Sequence, residues 1–156
     1  MTGGADGGGA GLFKVAVEGG APIRLTSGVA LNPVWNPDGS MIVYNGANMG
    51  GWAPLRAVRP DGTPVALPDI NVQRDGERVR FLPSGKGLVY AQGVSVSSQD
   101  FWLLDLATKK SRRLTRLANT AATRAFDITP DGTQIVFDRL RGTSDIALID
   151  LAGSGR

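Results

Sequence analysis

Residues 35–44 read WNPDGSMIVY, and the same pattern returns as FLPSGKGLVY at residues 81–90 and as ITPDGTQIVF at residues 128–137. The shared proline is Pro37, Pro83 or Pro130, so the copies are 46 and then 47 residues apart. A period of this length is typical of repeat architectures, in which each repeat is one supersecondary unit. The sequence therefore predicts a single structural unit that recurs along the chain.

Each copy contains a turn made of proline, then Asp or Ser, then glycine. Proline presets φ for the first central position, Asp or Ser suits the next, and glycine supplies the positive φ that closes a bulged hairpin. β-branched and aromatic residues follow at 42–44, 88–90 and 135–137, which predicts strands buried on both faces. The predicted structural turn residues are Pro37, Asp38, Gly39, Pro83, Ser84, Gly85, Pro130, Asp131 and Gly132.

The strands around these turns group into units of four, which we label a to d. Residues 12–27 supply strands c and d, residues 29–68 and 76–115 supply a to d, and residues 121–152 supply a to c, which gives 13 predicted strands. Residues 1–11 contain six glycines and are predicted to be a disordered tail, and residues 153–156 form a second tail. No segment shows a helical apolar period, so we expect almost no helix.

Four-stranded units at a period in the forties predict an all-β fold: a partial β-propeller of about three four-stranded antiparallel blades plus incomplete flanking strands. Here the chain resembles the WD40-like (PD40) repeats of the TolB type, whose blades carry a Ser-Pro-Asp-Gly turn between strands a and b. Residues 36–39 and 129–132 match that turn, whereas residues 83–85 lack its Asp. The Leu-Thr pair that closes strand d matches at residues 25–26 and 114–115, but residues 67–68 are Leu-Pro.

This resemblance covers about residues 12–152 and implies more than a fold. It implies the C-terminal part of a larger bacterial propeller protein with six blades, a role in protein binding, and a periplasmic or extracytoplasmic location. Residues 101–151 are also similar to the C-terminal end of larger bacterial chains, some of which carry serine/threonine kinase domains.

The number of blades also predicts a partner. Propellers close with about four to eight blades, and little more than three are present, so two apolar blade faces would be exposed. We therefore expect the remaining blades of a parent propeller, or self-association, to cover those faces.

Composition excludes several classes of function. The sequence contains no His and no Cys, which rules out the usual zinc sites and His- or Cys-based nucleophilic catalysis. We expect no catalytic residue, cofactor or metal site; Asp38, Asp61 and Asp131 lack the spacing of a calcium loop. A net charge of +3 does not call for a nucleic-acid partner, and no stretch is apolar enough for a membrane span or a signal peptide.

Several side chains are candidates for the core or for binding. The basic cluster at residues 109–116 would suit an anionic partner, but the favoured interpretation is protection of an outer strand edge. Four aromatic residues are expected in the core between blades: Trp35, Phe81, Trp102 and Phe126. Five others are predicted on the face formed by the b–c and d–a loops, where a partner would bind: Trp52, Arg74, Gln99, Arg139 and Arg141.

Three functions stay open on the sequence. The leading hypothesis is a non-enzymatic propeller module that binds protein or peptide, as a fragment of a longer chain. The second is a substrate-gating propeller of a prolyl-oligopeptidase-like hydrolase. The third is the C-terminal sensor propeller of a bacterial serine/threonine kinase.

Overall fold

The computed structural model describes residues 9–73, 78–95, 97–117 and 121–140. Within these ranges the chain forms thirteen strands and no helix. In chain order the strands are β1 (Gly11–Lys14), β2 (Ile23–Ser27), β3 (Leu31–Trp35), β4 (Ile42–Asn45), β5 (Trp52–Val58), β6 (Pro64–Val65), β7 (Asn71–Gln73), β8 (Val79–Phe81), β9 (Gly87–Ser95), β10 (Ser98–Asp105), β11 (Ser111–Arg113), β12 (Phe126–Ile128) and β13 (Ile135–Phe137).

The strands form four antiparallel groups that follow one another along the chain. Sheet 1 is β1-β2, sheet 2 is β3-β4-β5-β6 with β7 also paired to β5, sheet 3 is β8-β9-β10-β11, and sheet 4 is β12-β13. Strands β3 and β8 contact each other across the gap between sheets 2 and 3. Successive sheets joined face to face in chain order make a partial all-β propeller, with sheets 2 and 3 as its four-stranded units.

The hydrophobic core lies between successive sheets and not within any one of them. Neighbouring residues on β4 point to opposite sides, because side chains alternate along a strand. Ile42 packs with Leu12 between sheets 1 and 2, whereas Val43 packs with Phe81 and Leu88 between sheets 2 and 3. A third cluster fills the space between sheets 3 and 4 around Phe101. Strands β4 and β9 are therefore buried on both faces, as the apolar runs at residues 42–44 and 88–90 predicted.

The three turns share one hydrogen-bond pattern and nest against each other. In the first, Gly39 N donates to Asn36 O at 2.8 Å, and the other two turns close through Gly85 and Gly132 in the same way. All three glycines have positive φ, between 69° and 73°. Asn36 Nδ2 also donates to Gly85 O at 3.2 Å, so the first turn is bonded directly to the second.

The threonine of each Leu-Thr pair at the end of strand d accepts a hydrogen bond from the backbone of strand c, and we call this arrangement the clamp. Thr26 Oγ1 accepts from Leu12 N at 3.3 Å, and Thr115 Oγ1 accepts from Phe101 N at 3.0 Å. The arginine two residues before each threonine donates from Nε to that threonine's carbonyl oxygen, at 3.0 and 2.8 Å. The clamp unites strands c and d in sheets 1 and 3, and its Arg-Leu-Thr signature is longer than the Leu-Thr pair read from the sequence.

Strand d of sheet 2 differs from the prediction. The prediction ended this strand by residue 68. In the structure it is split into two parts: β6 pairs with Ala57 and Val58 of β5, and β7 pairs with residues 52–54 of β5. Pro68 lies in the gap, and proline cannot donate to a strand ladder. The departure from Leu-Thr at residues 67–68 therefore marks a broken strand. At the N-terminus, β1 begins at Gly11, one residue inside the predicted tail.

Trp35 is the one predicted core aromatic that lies largely outside the core, with 47% of its surface exposed, while Phe81 and Phe126 are buried and Trp102 is partly buried. Trp35 and Phe81 occupy equivalent positions, each facing the preceding sheet. For Phe81 that sheet is sheet 2, which includes the inner strand β3. For Trp35 it is sheet 1, whose described strands are the outer pair, so within the described residues no inner strand lies opposite the indole.

Exposed apolar side chains concentrate at the two ends of the arc. Phe13, Ile23 and Trp35 are exposed at the sheet 1 end, and Val136 and Leu140 at the sheet 4 end. The prediction that residues 135–137 are buried on both faces is therefore wrong for Val136, whose side of sheet 4 is not covered by any described residue. The last predicted strand, at residues 145–151, lies outside the described residues. Across the described ranges there is no helix with the length and apolar character that a membrane crossing requires.

Candidate functional site

The strand order gives the arc two rims. The turn face carries the three proline turns, and the opposite loop face carries the b–c loops and d–a connections, represented by residues 46–52, 93–95, 115–117, 121–125 and 138–140. Loops on a rigid scaffold are where binding residues concentrate. The loop face contains the candidate partner-binding residues that the structure describes.

A continuous row of buried polar contacts underlies the loop face, and we call it the floor. Gln99 Nε2 donates to Gln73 Oε1 at 2.6 Å, and Gln99 Oε1 accepts from Arg78 Nη1 at 3.2 Å. The same Nη1 donates to the carbonyl oxygen of Thr123. Arg78 is only 1% exposed. Because a buried guanidinium is costly unless it is hydrogen-bonded, these partners fix sheets 2 and 3 and residues 121–125 relative to one another.

Asp138 holds the sheet 4 end of the floor. Its Oδ1 accepts hydrogen bonds from Arg124 N at 2.7 Å and Ala125 N at 3.1 Å. Partial desolvation raises the pKa of Asp138, but the two backbone N–H groups and the charges of Arg78 and Arg124 outweigh it, so the pKa lies below its usual value. The carboxylate of Asp138 is therefore negatively charged, and it is hydrogen-bonded to the backbone of Arg124 and Ala125 on the loop face.

Asp100 fixes the connection that leaves sheet 3. It is buried, and its carboxylate accepts hydrogen bonds from Thr115 Oγ1 at 3.0 Å, from Leu117 N at 2.8 Å and from the guanidinium of Arg113. Burial raises the pKa of Asp100, and these hydrogen bonds more than compensate, so the pKa is lowered. Arg113, assigned from sequence to the protection of an outer edge, is thus an ion-pair partner as well.

The rim above the floor presents two kinds of side chain. Met49 and Val94 are 62% and 88% exposed, and Trp52, which forms a β-bridge with Met49, is partly buried. Met49 N donates to Trp52 O at 2.7 Å, which closes a tight hairpin across Gly50 and Gly51. The basic side chains of the rim are exposed at Arg116, Arg124 and Arg139.

The five candidate partner-binding residues have different outcomes. Trp52 is on the loop face, but as the first residue of β5 and not within a loop. Gln99 lies at the loop-face end of β10, is 5% exposed and belongs to the floor, and its role in partner binding stays a prediction. Arg139 is exposed on the rim, and Arg74 and Arg141 lie outside the described residues. Sequence reasoning missed two residues of this face. Arg78 gives no signal in the sequence, because arginine is rarely buried. Met49 could have been found, because the Gly-Gly pair that follows it indicates a hairpin turn.

The side chains of Asp38 and Asp131 accept hydrogen bonds within their own turns. Asp38 Oδ1 accepts from Ser40 N at 2.8 Å, and Asp131 Oδ1 accepts from Thr133 N at 3.1 Å. The pKa of Asp38 is lowered by its hydrogen bonds to Ser40, and that of Asp131 chiefly by its hydrogen bond to Thr129. In the described ranges, no three acidic side chains gather as a cation site would require. A groove of about 680 Å³ opens beside the first two turns, and none of the candidate partner-binding residues lines it.

Comparison with known proteins supports the fold. No protein-family model matches the sequence, and no curated protein matches it. A solved structure from Agrobacterium tumefaciens, assigned as a TolB protein, matches with a TM-score of 0.63 at 17% sequence identity. The match covers 88% of this chain and 48% of that structure, so the chain spans about half of its length. The chain therefore has a TolB-like propeller fold, while the PD40 repeat class and the six-blade count stay predictions.

Proposed function

We propose that this chain is a non-enzymatic propeller module that binds a protein or peptide segment across its loop face. The observation that carries the proposal is the combination of a rigid buried floor with exposed anchors above it. The Gln73–Gln99–Arg78 row holds the rim in one arrangement before any ligand arrives, which lowers the ordering cost of binding. Aromatic, Met and Arg side chains are the types enriched at protein–protein interfaces.

We also propose that the arc works as part of a larger ring. The apolar side chains exposed at its two ends resemble in kind those buried between its internal sheets. Further blades of a parent chain, or another copy, would cover them, and the covered ends would leave the loop face as the accessible binding surface. The exposed Phe13 and Val136 mark these two ends.

Loss of binding on removal of Trp52 is the expected outcome that tests the proposal. A random peptide-display library is panned on the purified chain, and the affinities of enriched peptides are then measured by fluorescence anisotropy. Trp52→Ala is expected to weaken binding by about 2 kcal/mol, roughly 30-fold, which is the scale of an aromatic hot spot. Arg139→Ala is expected to weaken it by a smaller factor, because Arg139 is an exposed rim cation.

The matched control is Lys109→Ala, which removes an exposed cation from the opposite rim. This control is expected to bind every enriched peptide with the parent affinity. Circular dichroism and urea unfolding of each variant establish that the fold is intact. Parent-level affinity of both Trp52→Ala and Arg139→Ala for all enriched peptides would overturn the assignment of the loop face as the binding surface.

A further inference from the structure

The loop face is divided by chemistry into two halves. The apolar half consists of Met49, Trp52 and Val94, carried by sheets 2 and 3. The basic half consists of Arg116 in the connection that leaves sheet 3, Arg124 before β12 and Arg139 after β13, with the exposed Leu140 next to Arg139. All of these side chains except Trp52 are exposed. A ligand that lies across the whole face therefore meets apolar surface at one end and positive charge at the other.

The floor links the apolar half to the basic half beneath the surface. Trp52 pairs with Gln73 in the β5–β7 ladder, and Gln73 is the first member of the buried row that runs through Gln99 and Arg78. The row ends at Thr123, directly before Arg124. Each step is a hydrogen bond or a strand pairing, so the two halves are held at fixed positions. A single extended segment can therefore contact both.

Two arginines of the basic half, Arg116 and Arg124, are exposed to solvent. Arg116 and Arg124 make no ion pair with any residue in the described ranges. The carboxylate of Asp138 interacts with the charge of Arg124, and its Oδ1 accepts hydrogen bonds from two backbone N–H groups. Asp69 is also exposed, and it lies between β6 and β7 within sheet 2. Charge complementarity therefore favours an acidic ligand at the sheet 4 side.

We propose that the segment bound by the loop face is an extended peptide that carries a large apolar side chain next to a cluster of acidic side chains. This inference rests on the proposed function and adds the chemistry of the partner. A single-stranded nucleic acid fits less well, because its bases need a row of aromatic faces for stacking. Met49 and Val94 have no such face, and Trp52 is the one aromatic residue of the apolar half.

The test uses four labelled peptides of about 12 residues, which reach about 40 Å when extended at about 3.4 Å per residue. One carries Trp and Leu beside four Glu, the second has Gln in place of Glu, the third has Lys in place of Glu, and the fourth keeps Glu but has Ser in place of Trp and Leu. The apolar–acidic peptide is expected to bind at least about tenfold tighter than each of the others in low salt. Its advantage over the Gln peptide is expected to shrink at about 0.5 M salt, where exposed charges are screened.

Charge reversal at the rim supplies the second arm. The double variant Arg116→Glu/Arg124→Glu is expected to lose at least about tenfold in affinity for the apolar–acidic peptide and to gain affinity for the apolar–basic one. The matched control is Lys86→Glu/Lys109→Glu, which makes the same charge change on the turn face and is expected to alter neither affinity.

The outcomes separate this inference from the function on which it rests. Equal affinity for the Gln and Glu peptides, with both dependent on Trp52, overturns the inference and leaves the proposed function standing. Absence of binding for all four peptides, together with failure of the display library to enrich any sequence, overturns both. Tighter binding of an oligonucleotide of about 12 nucleotides than of any peptide also overturns the inference.

Discussion

Replacement of Phe101 by alanine is expected to lower the free energy of unfolding by about 3–5 kcal/mol, the range for a buried Phe→Ala change. Phe101 is 1% exposed, and its ring lies 4.9 Å from that of Phe126 and 5.2 Å from that of Phe137. These rings join sheet 3 to sheet 4, so truncation removes both transfer free energy and ring contacts. Because small domains are stable by about 5–15 kcal/mol, the variant is expected to be close to unfolding. Urea denaturation followed by circular dichroism measures the change.

The control is Phe13→Ala, an identical change at a ring that is 45% exposed at the end of the arc. Its expected cost is below about 1.5 kcal/mol, because much of this ring is in water already. A similar cost for the two variants would show that Phe101 is not buried between sheets, which would contradict the face-to-face packing of sheets 3 and 4.

Gly85→Ala is expected to destabilise the chain by about 2–4 kcal/mol, from two separate effects. Gly85 has a φ of 69°, and an L residue in that region costs about 1–2 kcal/mol. In addition, an added Cβ would lie 2.7 Å from Oδ1 of the buried Asn36 in the preceding turn. Relief of that contact requires either turn to shift and breaks the bond from Asn36 Nδ2 to Gly85 O.

Gly39→Ala separates the two effects. Gly39 has a φ of 73°, yet an added Cβ there meets nothing within 4 Å. This variant is expected to show the backbone cost alone, about 1–2 kcal/mol. Chemical denaturation of both variants gives the difference, and equal costs would mean that the turns do not nest.

Much of the fold could be predicted because its signals are local. A proline, a short polar residue and a glycine are enough to define a bulged hairpin turn, and their recurrence defines the repeat. The second half of strand d in sheet 2 was missed because Pro68 interrupts the strand and β7 resumes beyond it. Trp35 was misplaced because its burial depends on an inner strand of the preceding sheet, and no local pattern shows whether that strand is present.

The loop face was less predictable because it depends on contacts between distant residues. Gln99 lies in a polar stretch of the sequence, yet it is buried and hydrogen-bonded to Gln73 and Arg78, which lie 26 and 21 residues away. Arg78 is buried only because it can reach the carbonyl of Thr123 in the next unit. The repeat register alone assigns each loop to one rim, which is why Trp52, the first residue of β5, could be assigned to the loop face, while its role in binding stays a prediction.

The radial succession of sheets is the claim on which the rest depends, and distances between the three turns test it most directly. The chain contains no cysteine, so spin labels can be attached pairwise at Asp38→Cys, Ser84→Cys and Asp131→Cys, all exposed positions. Stacked sheets are about 10 Å apart, so the 38–84 and 84–131 pairs are expected to give short, similar distances and the 38–131 pair a clearly longer one. A 38–131 distance equal to or shorter than the other two would contradict a fanned arrangement of sheets.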